Sequence, residues 1–162
     1  MNGILRDVIR SLENEFSDLS DVEQAARIIV RLSVAALLGG ILGWQRESHG
    51  KEAGLRTHML VSMGSALFML VALQVGIDTE NSSRVIQGVI AGVGFLGAGT
   101  ILKAESKDSE PHVRGLTTAA GIWLTAAIGV CAGVGEEATA IISTALAMVV
   151  LSAVPIVTKR KD

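Results

Sequence analysis

The sequence predicts an all-α polytopic membrane protein, a bundle of five transmembrane helices preceded by an amphipathic N-terminal helix. Three observations carry this reading. Of the 162 residues, 49% are hydrophobic, and the mean hydropathy of +0.50 is high for a soluble domain. Five apolar stretches each reach about 20 residues, the length that crosses a bilayer core. Residues Gly88 to Ile101 read GVIAGVGFLGAGTI, placing five glycines in an apolar run. A soluble helix loses about 1 kcal/mol at each such glycine relative to alanine, whereas transmembrane helices use glycine where backbones approach closely.

The elements follow in order. Residues 1–20 form the amphipathic helix: Ile4, Leu5, Val8, Ile9, Leu12, Phe16 and Leu19 recur at helical spacing, with Arg6, Asp7, Arg10, Glu13 and Asn14 between them. Such a helix lies on a membrane surface or covers a bundle. The segment has no apolar core of the kind a cleavable signal peptide needs. Ser20-Asp21-Val22-Glu23 fits the capping-box pattern and predicts the start of the first spanning helix. The transmembrane domain covers residues 21–158, with spans near Ala26–Trp44, Leu55–Ile77, Val85–Leu102, Gly115–Val134 and Ala138–Val157, and residues 159–162 form a basic tail.

Packing faces are read from helical periodicity. At about 100° per residue, Gly88, Gly92 and Gly99 share one face of the third span, with Gly94 and Gly97 roughly opposite. This predicts a central helix, smooth on two sides. Gly39 and Gly43 give the first span a close-packing motif. Gly115, Ala119, Ile122, Ala126, Gly129 and Gly133 make a narrow stripe of mainly small residues on the fourth. Trp44 stands where an interfacial anchor belongs. Trp123 is deeper and is expected to fill a gap opposite the glycines of the third span.

Five spans put the termini on opposite sides. One side receives Arg46, Lys51, Arg56, Lys103, Lys107, Arg114, Lys159, Arg160 and Lys161; the other receives only Arg6, Arg10, Arg27 and Arg84. The positive-inside rule therefore places the N-terminus outside and the C-terminus in the cytoplasm. The two cytoplasmic loops lead into similar helix starts, Ala53-Gly54-Leu55-Arg56-Thr57-His58 and Val113-Arg114-Gly115-Leu116-Thr117-Thr118, as a duplicated helical hairpin would.

Chemistry is sparse. No Asp or Glu lies within the spans, which weighs against a cation-coupled transporter, since a desolvated cation needs an anionic or carbonyl partner. Backbone carbonyls of a glycine-broken helix are the remaining alternative. Arg31 is the intramembrane charge; it either binds carbonyls or a ligand inside the bundle or snorkels to the outer surface. The helix starts are the better site. Helix N-termini carry free N–H groups and partial positive charge, and two of them with Arg46, Arg56, Thr57, Arg114, Thr117 and Thr118 suit a phosphate or carboxylate. Glu47 is an acidic neighbour of that site, and His58 beside Arg56 caps or hydrogen-bonds locally. The ordinary alternative is that the arginines set topology and the threonines cap helices. His49 and His112 are too few and too irregular for zinc. Glu105, Asp108 and Glu110 could weakly bind a divalent cation, but a charge run in a loop is usually just solvated. Cys131 is single, so it makes no internal disulfide. The sequence shows no nucleophile–base pair, no nucleotide-binding loop, and no metal or cofactor signature, so a non-enzyme is expected.

Four motifs then stand together: Gly43-Trp44-Gln45-Arg46-Glu47, Ala53 to His58, Gly94-Phe95-Leu96-Gly97-Ala98-Gly99, and Arg114 to Ala120 followed by Trp123. In order and spacing they resemble the MgtC/SapB family of bacterial membrane proteins, over about Arg27 to Gly135. The resemblance implies a five-span inner-membrane protein with a cytoplasmic C-terminus. It links the chain to growth in low magnesium and to virulence, through modulation of other membrane proteins, the ATP synthase among them. Gln45 stands where family members commonly carry Glu, which removes a carboxylate there. The virulence-associated members add a soluble cytoplasmic domain after the fifth span, so the resemblance is to a short form. The leading expectation is a regulator working on a partner membrane protein within the lipid bilayer, with homo-oligomerisation open and no nucleic acid involved. The alternatives are a transporter or channel for magnesium or a small solute, and a sensor of an anionic ligand at the cytoplasmic face.

Overall fold

A computed structural model of the chain describes residues 2–15, 21–102 and 114–158. Six helices follow one another: α1 (Asn2–Glu15), α2 (Val22–Ser48), α3 (Leu55–Gln74), α4 (Thr79–Leu102), α5 (Leu116–Val134) and α6 (Glu137–Thr158). Among the described residues there is no strand. Phe16, Leu19, Ser20, Lys103, Glu105, Lys107, Asp108, Glu110, His112 and the tail from Lys159 lie outside the described residues.

Capping residues set the helix boundaries. α2 begins at Asp21, whose carboxylate accepts the Glu23 N–H at 2.9 Å. Asp78 does the same for α4, accepting the Asn81 N–H at 2.9 Å. α5 ends at Gly135, which adopts a left-handed conformation (φ 101°) and donates its N–H to the Cys131 and Ala132 carbonyls, a close that glycine reaches without strain. Helices α2 to α5 are long and apolar enough to cross a membrane. At 22 residues, α6 is about 33 Å long, enough to cross as well. The chain is therefore an all-α polytopic membrane protein.

Two compact units divide at Val30 and Arg31. In the first, α1 carries Ile4, Leu5, Val8, Ile9 and Leu12 exposed along one side, and Arg27 pairs with Glu23 one turn away at 2.9 Å. In the second, α5 is the central helix and packs against α3, α4 and α6. Its small residues are the reason. A Cβ added at Gly129 would overlap the Ser62 backbone of α3, and one at Gly133 would stand 2.5 Å from the Ala66 carbonyl oxygen. Gly39 and Gly43 bring α2 equally close to α3: their added Cβ atoms would lie 2.6 Å from the His58 carbonyl oxygen and 2.7 Å from the Leu55 Cα. Ala35, Ala66 and Ala132 are fully buried where these helices meet.

This arrangement corrects the expectation for the glycine-rich third span. α4 is not central. It packs on α5 through Val89, Val93 and Gly97, the last with Ala119 at 3.4 Å from an added Cβ. Gly88, Gly92, Gly94 and Gly99 have nothing within 4 Å of that position. Val89, Val93 and Gly97 follow one another at steps of four and make the contact stripe, and those four glycines lie beside it. Gly88 and Gly92 instead line an apolar cleft of about 600 Å³ between α3 and α4. Trp123 is half exposed and fills no gap. Trp44 is exposed near the end of α2, as an interfacial residue would be.

Candidate functional site

One end of the bundle gathers the C-terminal turns of α2 with the first turns of α3 and α5. The α2–α3 turn is closed by Glu47, whose carboxylate accepts the Leu55 N–H at 2.7 Å and lies against Gly54, where no Cβ fits beside it. Glu47 therefore acts as the capping group of α3 from the preceding helix, an oxyanion on a helix N-terminus. The start of α5 is built differently. Gly115 is left-handed (φ 88°), whereas Gly54 is extended (φ −99°), so the two similar sequence segments enter their helices through different backbone geometries. A Cβ at Gly115 would stand 2.6 Å from the Thr100 carbonyl oxygen.

Between these helix starts lies a buried polar cluster. Arg46 is only 5% exposed, and its guanidinium donates to Thr118 Oγ1 at 3.3 Å. His58 is fully buried, with Nδ1 3.0 Å from the Gly54 carbonyl oxygen. That contact makes Nδ1 the protonated nitrogen, leaving Nε2 as an acceptor when the ring is neutral. Gln45 donates its amide to the Leu151 carbonyl of α6 at 3.4 Å. Arg46 Nε, His58 Nε2, Gln45 Oε1 and Ser62 Oγ are buried without a hydrogen-bond partner. Buried polar atoms in native proteins are nearly always satisfied, so each of these atoms is a point where water or a ligand would complete the structure.

The structure thus divides the residues singled out from the sequence. Arg46, His58 and Thr118 come together inside. Arg56, Thr57, Arg114 and Thr117 are exposed. Thr57 lines a small cleft of about 280 Å³ with Glu52, Gly99 and Thr100. Thr117 lines an apolar groove of about 390 Å³ between α5 and α6, with His58 on its floor. Ser62 and Gln45 were not foreseen as members of the cluster. Their signal was present: His58, Ser62 and Ser65 share a face of α3, and Leu38, Leu42 and Arg46 recur at steps of four along the buried face of α2.

Arg31 sits near the opposite end. It reaches the C-terminus of α5, donating to the Gly133 carbonyl at 2.9 Å and lying against Gly135. It is therefore bonded to the backbone of a neighbouring helix. It satisfies an end-of-helix carbonyl where the helix dipole is negative. Among the described residues no three His, Cys, Asp or Glu side chains gather into a metal site.

Fold and site define a polytopic helical membrane protein with an arginine-centred polar cluster buried at one end. The sequence pattern of the MgtC family matches residues 32–160, and the chain belongs to that family. It is 46% identical over 130 residues to SrpB of Synechococcus elongatus, covering 75% of this chain and 71% of the relative. It is 43% identical over 136 residues to YhiD of Escherichia coli (strain K12), whose name assigns it provisionally to magnesium transport, covering 78% of this chain and 60% of YhiD. It is 39% identical over 116 residues to MgtC of Salmonella typhimurium, covering 72% of this chain and 47% of that protein. The matched region is thus less than two thirds of YhiD and about half of MgtC. No solved structure matches the chain.

Proposed function

We propose that this protein is a non-enzymatic regulator in the bacterial inner membrane, N-terminus outside and C-terminus cytoplasmic, that acts on a partner membrane protein and does not itself carry magnesium. The observation behind this reading is the character of the buried polar cluster. It combines a permanent cation, Arg46, with the uncharged polar groups of Gln45, Ser62 and Thr118 and the imidazole of His58, and no carboxylate is among the buried polar residues described. Mg²⁺ takes hard oxygen ligands in octahedral geometry and gives up its water reluctantly, and a buried guanidinium repels it. The name of YhiD favours the other reading, so transport is the measurement that decides. The purified protein is reconstituted into liposomes containing a magnesium-sensitive dye. Uptake equal to that of empty liposomes is expected. Saturable uptake absent from empty liposomes would overturn the regulator reading.

A further inference from the structure

Arg46 holds a positive charge that the described structure does not neutralise. A guanidinium stays protonated in proteins, and this one is 95% buried, being 5% exposed. Its hydrogen bond goes to a neutral hydroxyl, Thr118 Oγ1 at 3.3 Å, and its Nε has no partner. The adjacent carboxylate, Glu47, is engaged on the Leu55 N–H at 2.7 Å.

Thr118 lies in the first turn of α5, where backbone N–H groups have no partner within the helix. Gly115 ahead of it has no side chain to cap them. Arg46 and the positive end of α5 therefore converge. The start of α3 displays the complementary arrangement in the same molecule, with an oxyanion, the Glu47 carboxylate, on the first N–H of the helix. The two helix starts differ in this respect, and the unpartnered buried guanidinium stands at the one without a carboxylate.

We propose that Arg46, Thr118 and the first turn of α5 form a binding site for a phosphate group, either free or as the terminal phosphate of a lipid headgroup. Phosphate suits the donors better than a carboxylate does. The guanidinium fork, the hydroxyl and the backbone N–H groups are three kinds of donor, and a tetrahedral oxyanion has an oxygen for each. The site does not rest on the regulator reading and stands or falls separately from it.

The test is thermal unfolding of the full chain in a phosphate-free detergent, titrated with inorganic phosphate or dioctanoyl phosphatidic acid against chloride at matched ionic strength. Saturable stabilisation by at least one of the two beyond chloride is expected. Inorganic phosphate acting alone identifies a soluble ligand, and the lipid acting alone identifies a headgroup. Arg46→Lys keeps the charge but loses the fork, and should weaken binding about tenfold to hundredfold. Thr118→Val, which preserves shape, should weaken it about twofold to tenfold and carries the test if the Arg46 variant does not fold. Arg46→Gln should melt higher than the unliganded parent, because it removes an unpaired buried charge. No stabilisation beyond chloride by either compound, or equal binding by the parent and Thr118→Val, would overturn the site.

Discussion

Gly129 of α5 rests on the backbone of Ser62 in α3, so closely that a single methyl group would overlap the Ser62 carbonyl. Gly92 of α4, which looks equivalent in sequence, meets nothing within 4 Å. Gly129→Ala should therefore destabilise the fold by about 1–3 kcal/mol, the usual cost of overpacking. Gly92→Ala should be neutral or stabilise by up to about 1 kcal/mol, through helix propensity. Thermal unfolding in detergent compares the two, and equal losses would contradict the placement of α5 at the centre.

Glu47 caps α3 from the end of α2. Glu47→Gln keeps an acceptor and loses the charge, whereas Glu47→Ala loses both. Stability should fall in the order parent, Gln, Ala, with about 0.5–2 kcal/mol separating the ends of the series. A proteolytic nick between Ser48 and Gly54, appearing first in the Ala variant, would locate the loosening. A series with no ordering would remove the capping role.

Arg31 holds the Gly133 carbonyl near the end of α5. Arg31→Gln removes the charge but keeps a donor of shorter reach, and about 1–2 kcal/mol should be lost. Hydrogen exchange at residues 132–136 should accelerate in this variant while the α3–α5 contact near Ser62 stays protected. Unchanged exchange at the end of α5 would show that the contact contributes nothing.

The proposed orientation rests on the distribution of basic residues and is checked with single cysteines in a Cys131→Ala background. Lys51 and Glu136 are exposed and lie in turns at opposite ends of the bundle. An impermeant thiol reagent should label Glu136→Cys from outside intact cells and Lys51→Cys only after permeabilisation. The reverse pattern would invert the orientation, and labelling of both from outside would break the alternation of spans.

The membrane helices were legible because hydropathy accumulates over about 20 residues and survives local irregularities. The packing stripe of α5 was legible too, since Ile122, Ala126, Gly129 and Gly133 keep to one face. The role of α4 was not. Periodicity assigns Gly88, Gly92 and Gly97 to faces, but which face meets a neighbour is a property of the neighbours. The site was half legible for the same reason. Arg46, Arg56 and Arg114 all lie near helix ends, and charge counting treats them alike. Only the course of the buried face, through Leu38 and Leu42 to Arg46, turns one of the three inward.

Arg31 and Arg46 stand fifteen residues apart on α2, and their partners Gly133 and Thr118 stand fifteen apart on α5, in the reverse direction. At 1.5 Å per residue each interval is about 22 Å. The two helices are thus pinned at matched points near both faces of the bilayer. A piston-like slide of α2 along α5 would break both pins at once, so this pair moves as one strut. Any rearrangement of the bundle that keeps both contacts must then move the other helices against that strut, or tilt it as a whole.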